Sequence, residues 1–178
     1  RSDKMVIKKV SVESYLNDAF NEPVYCIADV LDYNIRKDGQ VLSNIDFYKH
    51  PENYESNFMR FANVTDYFIA GHFFGDGSPF LFTREDAKSK DFNIKLVADI
   101  SCDIDGPVAS TLRASTIADP IYGYNPQTES EVDYKDESAI VVMAVDNLPC
   151  ELPKDASEGF GELFLENVIP AFFNNDND

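Results

Sequence analysis

Positive charge is scarce in this chain. Its 178 residues carry 15 Lys and Arg against 32 Asp and Glu, a formal net charge of −17. Nothing stands ready to neutralise phosphates, which argues against a nucleic-acid partner. The same deficit argues against an anionic membrane surface. Acidity spread this widely is a solubility feature rather than the mark of one basic partner. Cysteine is sparse too: Cys26, Cys102 and Cys150 are odd in number and far apart. No CxxC pair exists, so neither a metal site nor a disulfide framework is expected, and reduced thiols fit a cytoplasmic protein. No apolar run reaches the roughly 18 residues of a membrane span. The opening RSDKMVIKKV lacks the apolar centre of a signal peptide.

What is present is enough for one domain, residues 1–178, with a real core. A hydrophobic content of 44% and an aromatic content of 13% rule out a disordered tail. The chain enters directly on a strand-like MVIKKV, so it reads as a piece of a longer polypeptide.

The chain is organised around Lys95–Gly106, KLVADISCDIDG. Its first half is a short apolar run without helical period, the pattern of a strand covered on both faces. Its second half turns polar at once. In open α/β sheets ligands sit beyond the carboxyl ends of such strands. Two more runs share the pattern: Asp66–Gly71, followed by GHFFGDGSP, and Ala139–Val145, followed by Asp146-Asn147-Leu148-Pro149. Met5–Val10 and Val24–Ala28 are expected as shorter strands. Helices are expected at Val12–Phe20, around Ile45–Ala62 with a break at Pro51, from Thr83 to Lys88, and from Asp155 to Pro170. Asp29–Leu42 is expected as a loop or hairpin turning at Lys37-Asp38-Gly39, and Pro107–Glu137 as a long irregular segment. Strands alternating with helices imply right-handed βαβ units, hence an α/β fold with a Rossmann-like parallel sheet and flanking helices.

Several motifs resemble one family. The order ISCD…G, RASTI…DP and VVMAVDNLPCELPKDAS…GF is similar to the nucleotide-binding domain of the alanine dehydrogenase and saccharopine dehydrogenase superfamily. HPENY…ESNF, GHFFGDGSP and FTREDA resemble the lysine–2-oxoglutarate reductase group in particular. The resemblance covers Tyr48 to about Pro170. It implies a two-domain oxidoreductase that uses NAD or NADP, acts on a small amino acid and a 2-oxo acid, and joins lysine to 2-oxoglutarate through an imine. By motif match it implies that Asp103 is the catalytic acid beside the nicotinamide and substrate. Ser101 and Cys102 would flank that pocket. Val145, Asp146, Asn147 and Leu148 would approach the nicotinamide and its ribose. One departure is large: no G-x-G-x-x-G occurs, so the turn that holds a pyrophosphate is absent and the fold is expected to lack its first βα unit. Glu13 is a weak substitute for the acid at the end of the second strand. The chain alone is therefore expected to show little or no turnover. An alanine dehydrogenase, or a non-catalytic acidic binding or assembly domain, remains as an alternative.

Each site residue has a plainer explanation. Asp103 and Asp105 are also solvated loop acids. Ser101, Asp103, Asp105 and Gly106 fall at calcium-loop spacing, but Leu112 stands where such a loop needs Glu. Cys102 as a nucleophile lacks a histidine partner, since neither His50 nor His72 has a telling spacing. His72 ends a strand and lines the pocket or is simply packed. Arg113 clamps a substrate carboxylate in two-pronged fashion, or pairs with one of many acids. Asn147 meets ribose or carboxamide, or only shapes a turn. An incomplete parallel sheet leaves a strand edge open, so a homo-oligomer is expected.

Overall fold

The computed structural model describes residues 7–173. The chain runs through β1 (Lys8–Lys9), α1 (Val12–Asn17), β2 (Val24–Tyr25), β3 (Asn34–Arg36), α2 (Asn44–Lys49), β4 (Tyr54–Ser56) and α3 (Met59–Ala62). It continues through β5 (Tyr67–Ala70), α4 (Arg84–Ala87), β6 (Leu96–Asp99), β7 (Ile121–Asn125), β8 (Ser130–Val132), β9 (Ile140–Met143) and α5 (Pro153–Asn167). Of the first expected strand, Met5 and Val6 lie outside the described residues.

The three apolar runs pair side by side. β5, β6 and β9 are parallel, and the five-stranded sheet runs β5-β6-β9-β7-β8. This is the expected α/β unit with a parallel centre. β7 and β8 join it antiparallel. They form a hairpin inside the segment expected to be irregular. Gly123 at the middle of β7 hid the strand, because glycine weakens strand patterns. It is needed there: a Cβ would lie 2.7 Å from the Asp133 carbonyl oxygen. The crossover from β6 to β9 therefore runs through a hairpin rather than a helix. β1 and β2 form a separate parallel pair, and β3 and β4 an antiparallel one.

One face of the sheet makes the core. Phe68 and Ala70 of β5, Val97 and Asp99 of β6, and Ile140 and Val142 of β9 point into it, against Phe58, Phe61 and Phe82. Phe58 sits at its centre, 4.8 Å from the Phe68 ring and 6.1 Å from the Phe82 ring. The other face of β5 is open: Tyr67 is 72% exposed and Ile69 71%. The expectation of cover on both faces thus fails for the outer face of β5, while Leu96, Ala98, Val141 and Met143 on the same face of β6 and β9 are half-buried. α5 is as long as expected, yet buries no residue; Phe160, Leu163 and Leu165 project to solvent.

Local signals are read at the helix ends. Thr83 and Asp86 form a reciprocal capping box at α4. Ser11 caps α1 with one arm only, by accepting from the Ser14 N–H at 3.1 Å. α1 stops at Asn17 rather than Phe20, since Asp18 is already extended. The first unit is tied to the core by Tyr15 and Thr65, whose hydroxyls lie 3.0 Å apart.

Candidate functional site

Asp99 is the last residue of β6 and is wholly buried. A buried carboxylate needs donors, and the chain supplies four. Oδ1 accepts from the Ser101 N–H at 3.1 Å, the Ser101 hydroxyl at 2.6 Å and the Cys102 N–H at 3.2 Å. Oδ2 accepts from the buried Thr111 hydroxyl at 2.6 Å. The Cys102 thiol donates to the Asp99 carbonyl at 3.1 Å. These bonds hold Cys102 at φ +53°, a left-handed backbone that non-glycine residues seldom adopt. The loop closes when the Gly106 N–H donates to the Asp103 carbonyl at 3.0 Å. Only glycine fits at 106, because a Cβ would lie 2.7 Å from the Asp103 Cβ and carbonyl oxygen. Asp103 stands at the crest, half-buried, and its carboxylate makes no hydrogen bond among the described residues.

The neighbouring strand ends converge on this loop. The Ile100 and Ser101 N–H groups donate to the Ala70 carbonyl at 2.9 and 3.3 Å, which ties the end of β5 to the end of β6. His72 follows β5 after Gly71, and the charges of Asp99 and Asp103 act on its ring. On the other side the Ser115 N–H donates to the Ala144 carbonyl at 2.8 Å beyond β9. Val145 is buried there, Asp146 and Asn147 are exposed, and Leu148 is half-buried. Burial pushes the Cys102 thiol up, and Asp99, Asp146 and Asp103 push it further. A thiol pushed up in this way yields less of the nucleophilic thiolate than an ordinary cysteine. The structure thus gathers Ser101, Cys102, Asp103 and Asp146 at one edge, with His72 beside them.

Arg113 is engaged elsewhere. Its Nε and terminal nitrogen donate to the two Glu131 carboxylate oxygens at 2.7 and 2.8 Å, and its guanidinium lies 4.6 Å over the Tyr122 ring. It fastens β8 to the segment before β7, the plainer of its two explanations. Asp105 pairs with Arg84 at 2.6 Å. Among the described residues no three His, Cys, Asp or Glu side chains gather as a metal-binding group.

In the sequence Asp99 reads only as part of an apolar strand. Its signal is a lone carboxylate within an apolar run, two residues before Ser101. Spacing along the chain leaves His72 undecided, and the structure gives it a distinctive environment. Both ring nitrogens are buried and neither has a hydrogen-bond partner among the described residues. Burial holds its pKa below the usual histidine value despite the two carboxylates. His72 also lines a cleft of about 690 Å³ whose walls include Tyr15, Ile27, Phe58 and Phe73.

No protein-family model matches the chain. Individual proteins do. The alpha-aminoadipic semialdehyde synthase of Arabidopsis thaliana is 31% identical over 143 residues, which is 78% of this chain and 13% of the relative. The mitochondrial alpha-aminoadipic semialdehyde synthase of Mus musculus is 31% identical over 152 residues, 75% of this chain and 16% of the relative. The Bos taurus enzyme of the same name is 31% identical over 156 residues, 76% of the chain and 17% of the relative. The chain is homologous to one segment of the alpha-aminoadipic semialdehyde synthases. This upholds the likeness to the saccharopine dehydrogenase and lysine–2-oxoglutarate reductase group. The chain spans about one sixth or less of the length of these relatives. Two of the names carry the word mitochondrial, so the cytoplasmic expectation gains nothing from them. Among the described residues no helix is long and apolar enough to cross a membrane.

Proposed function

We propose that this chain is the nicotinamide-facing part of an NAD- or NADP-dependent amino-acid oxidoreductase of the saccharopine dehydrogenase type. The observation that carries the proposal is the convergence of three parallel strand ends on Asp103, where an α/β sheet presents its ligands. Homology to the semialdehyde synthases supplies the reaction class. The reaction is reductive joining of lysine to 2-oxoglutarate, or its reverse; water leaves as the imine forms, and a hydride and a proton then reduce it. The residues fit half of the cofactor. Beside the strand ends, a cleft with aromatic and apolar walls that His72 also lines suits a flat nicotinamide ring. No residue set suits the pyrophosphate, since the 178 residues lack a G-x-G-x-x-G turn. When bound, the cofactor supplies or takes the hydride.

The residues of this chain do the rest by position. Asp99 fixes the loop, so that Asp103 projects from a rigid base. Asp103 accepts a hydrogen bond from the substrate nitrogen and favours its positive charge as the imine forms. Val145 and Leu148 keep water from one side, while Asp146 and Asn147 offer polar groups toward a ribose. Ser101 is committed to Asp99 and positions the loop.

The test is NADH and NADPH oxidation by the natural polypeptide that contains these residues. Lysine with 2-oxoglutarate is compared with pyruvate and ammonia. Turnover with the first pair alone is expected, and Asp103→Asn is expected to lower kcat about 100-fold or more while cofactor affinity holds. Turnover only with pyruvate and ammonia would favour an alanine dehydrogenase instead. The isolated 178 residues are expected to turn over little.

A further inference from the structure

We infer that Thr111 is the positioning residue that sets where Asp103 stands. The inference rests on the reading above, in which Asp103 meets the substrate nitrogen. It adds a residue that lies outside the motifs of the sequence.

Thr111 is wholly buried and belongs to no strand or helix. Its hydroxyl donates to Asp99 Oδ2 at 2.6 Å, and that oxygen has no other donor among the described residues. The three hydrogen bonds to Oδ1 come from Ser101 and Cys102, which belong to the loop and move with it. Thr111 is therefore the donor that reaches Asp99 from outside the loop. Its backbone holds the loop a second time, because its carbonyl accepts from the Asp105 N–H at 3.2 Å. One residue thus grips the loop on both sides of Asp103, at Asp99 before it and at Asp105 after it. The bonds from the Ile100 and Ser101 N–H groups to the Ala70 carbonyl tie only the base of the loop. The Arg84–Asp105 pair on the returning limb is exposed, and exposed pairs hold geometry weakly.

The grip is itself anchored. The Tyr122 hydroxyl accepts from the Leu112 N–H at 2.9 Å and donates toward the Ser110 carbonyl at 3.2 Å, so it holds the residues on either side of Thr111. Tyr122 belongs to β7 and stands opposite Val142 of β9. The place of Thr111 is in this way referred to the sheet, and Thr111 passes it on to the loop. A bond of 2.6 Å between buried groups is short and directional, so it fixes the turn of the Asp99 carboxylate. A shift of about 1 Å in a reacting group can cost about 100-fold in rate. A residue that holds both limbs of the loop therefore acts on turnover without touching substrate.

The test is a double-mutant cycle in the natural polypeptide, assayed with the substrate pair that it turns over. Thr111→Val keeps the branched shape and removes the donor. It is expected to lower kcat about tenfold, while KM for the nucleotide stays within about twofold. Thr111→Ser keeps the hydroxyl and should recover most of that loss. In the Asp103→Asn background, Thr111→Val should cost no more than about twofold further, because the group it positions is already gone. Tyr122→Phe loosens the Thr111 segment and leaves the donors of Asp99 in place. It should show the same coupling to Asp103 in smaller measure, and it serves if Thr111→Val does not fold. Losses that multiply independently across the cycle, or no recovery in Thr111→Ser, overturn the inference and leave the reading of Asp103 standing. Full turnover in Asp103→Asn removes Asp103 from the reaction, and no turnover with either substrate pair removes the reaction itself. In both cases the inference falls with the reading beneath it.

Discussion

Replacing Asp99 by alanine would strand four donors in one step, two of them backbone N–H groups. Buried donors without acceptors are expensive, so Asp99→Ala is expected to destabilise the chain by about 3 kcal/mol in urea unfolding. Asp103→Ala removes a carboxylate that bonds to nothing among the described residues, and its cost is expected to stay under about 0.5 kcal/mol. The contrast separates the residue that builds the loop from the residue the loop presents. His72 adds a pH signature. Its pKa in the folded chain is lowered from the ordinary value of 6.5, chiefly by burial. Above 6.5 both folded and unfolded chains hold the ring neutral. As pH falls below 6.5 the unfolded chain takes up the proton first, so stability declines until the folded pKa is passed. His72→Phe should flatten that part of a stability–pH curve, read by denaturant midpoint. A curve unchanged by the substitution would mean that the ring is not desolvated.

Elements show where pattern reading works. β5, β6 and β9 were legible because they are continuous apolar runs that stop abruptly at polar residues. α4 was legible because Thr83 and Asp86 are three apart. β7 and β8 were not, for Tyr122-Gly123-Tyr124 reads as a turn until one knows that the Asp133 carbonyl passes against Gly123. Gly123→Ala is therefore expected to cost about 1–3 kcal/mol by thermal unfolding. Gly71→Ala, with open space at its Cβ, should be within about 0.5 kcal/mol of neutral. The hairpin is fastened by Arg113, which holds the Glu131 carboxyl below its usual range. That pair's contribution is present above the ordinary value of 4.5 and is lost as pH falls through the lowered pKa. Both partners are more than a third exposed, so it is worth no more than about 1 kcal/mol.

At the scale of the molecule two tendencies oppose each other. A net charge of −17 drives copies apart. The free outer edge of β5, with Tyr67 and Ile69 uncovered, and the bare Phe160, Leu163 and Leu165 of α5 draw apolar surfaces together. Sedimentation is expected to show self-association that strengthens at about 0.5 M salt, where the repulsion is screened over a few ångströms. A strictly monomeric profile at both salt levels would contradict this expectation. The same uncovered surfaces accord with relatives in which this segment is a small share of a much longer chain.

By itself the sequence determined the α/β class, the parallel strands, the caps and the lineage, because each is written in residues close together along the chain. Apolar runs, a cap three residues from its partner and the DNLPCELP string need no distant contact to be recognised. Only the tertiary structure decided which carboxylate builds the loop and which is displayed by it. It also decided that Arg113 belongs to a hairpin, that the outer face of β5 is exposed, and that the His72 ring nitrogens are buried without a partner among the described residues. Those properties depend on which donors and acceptors meet across tens of residues, and spacing along the chain does not encode the meeting.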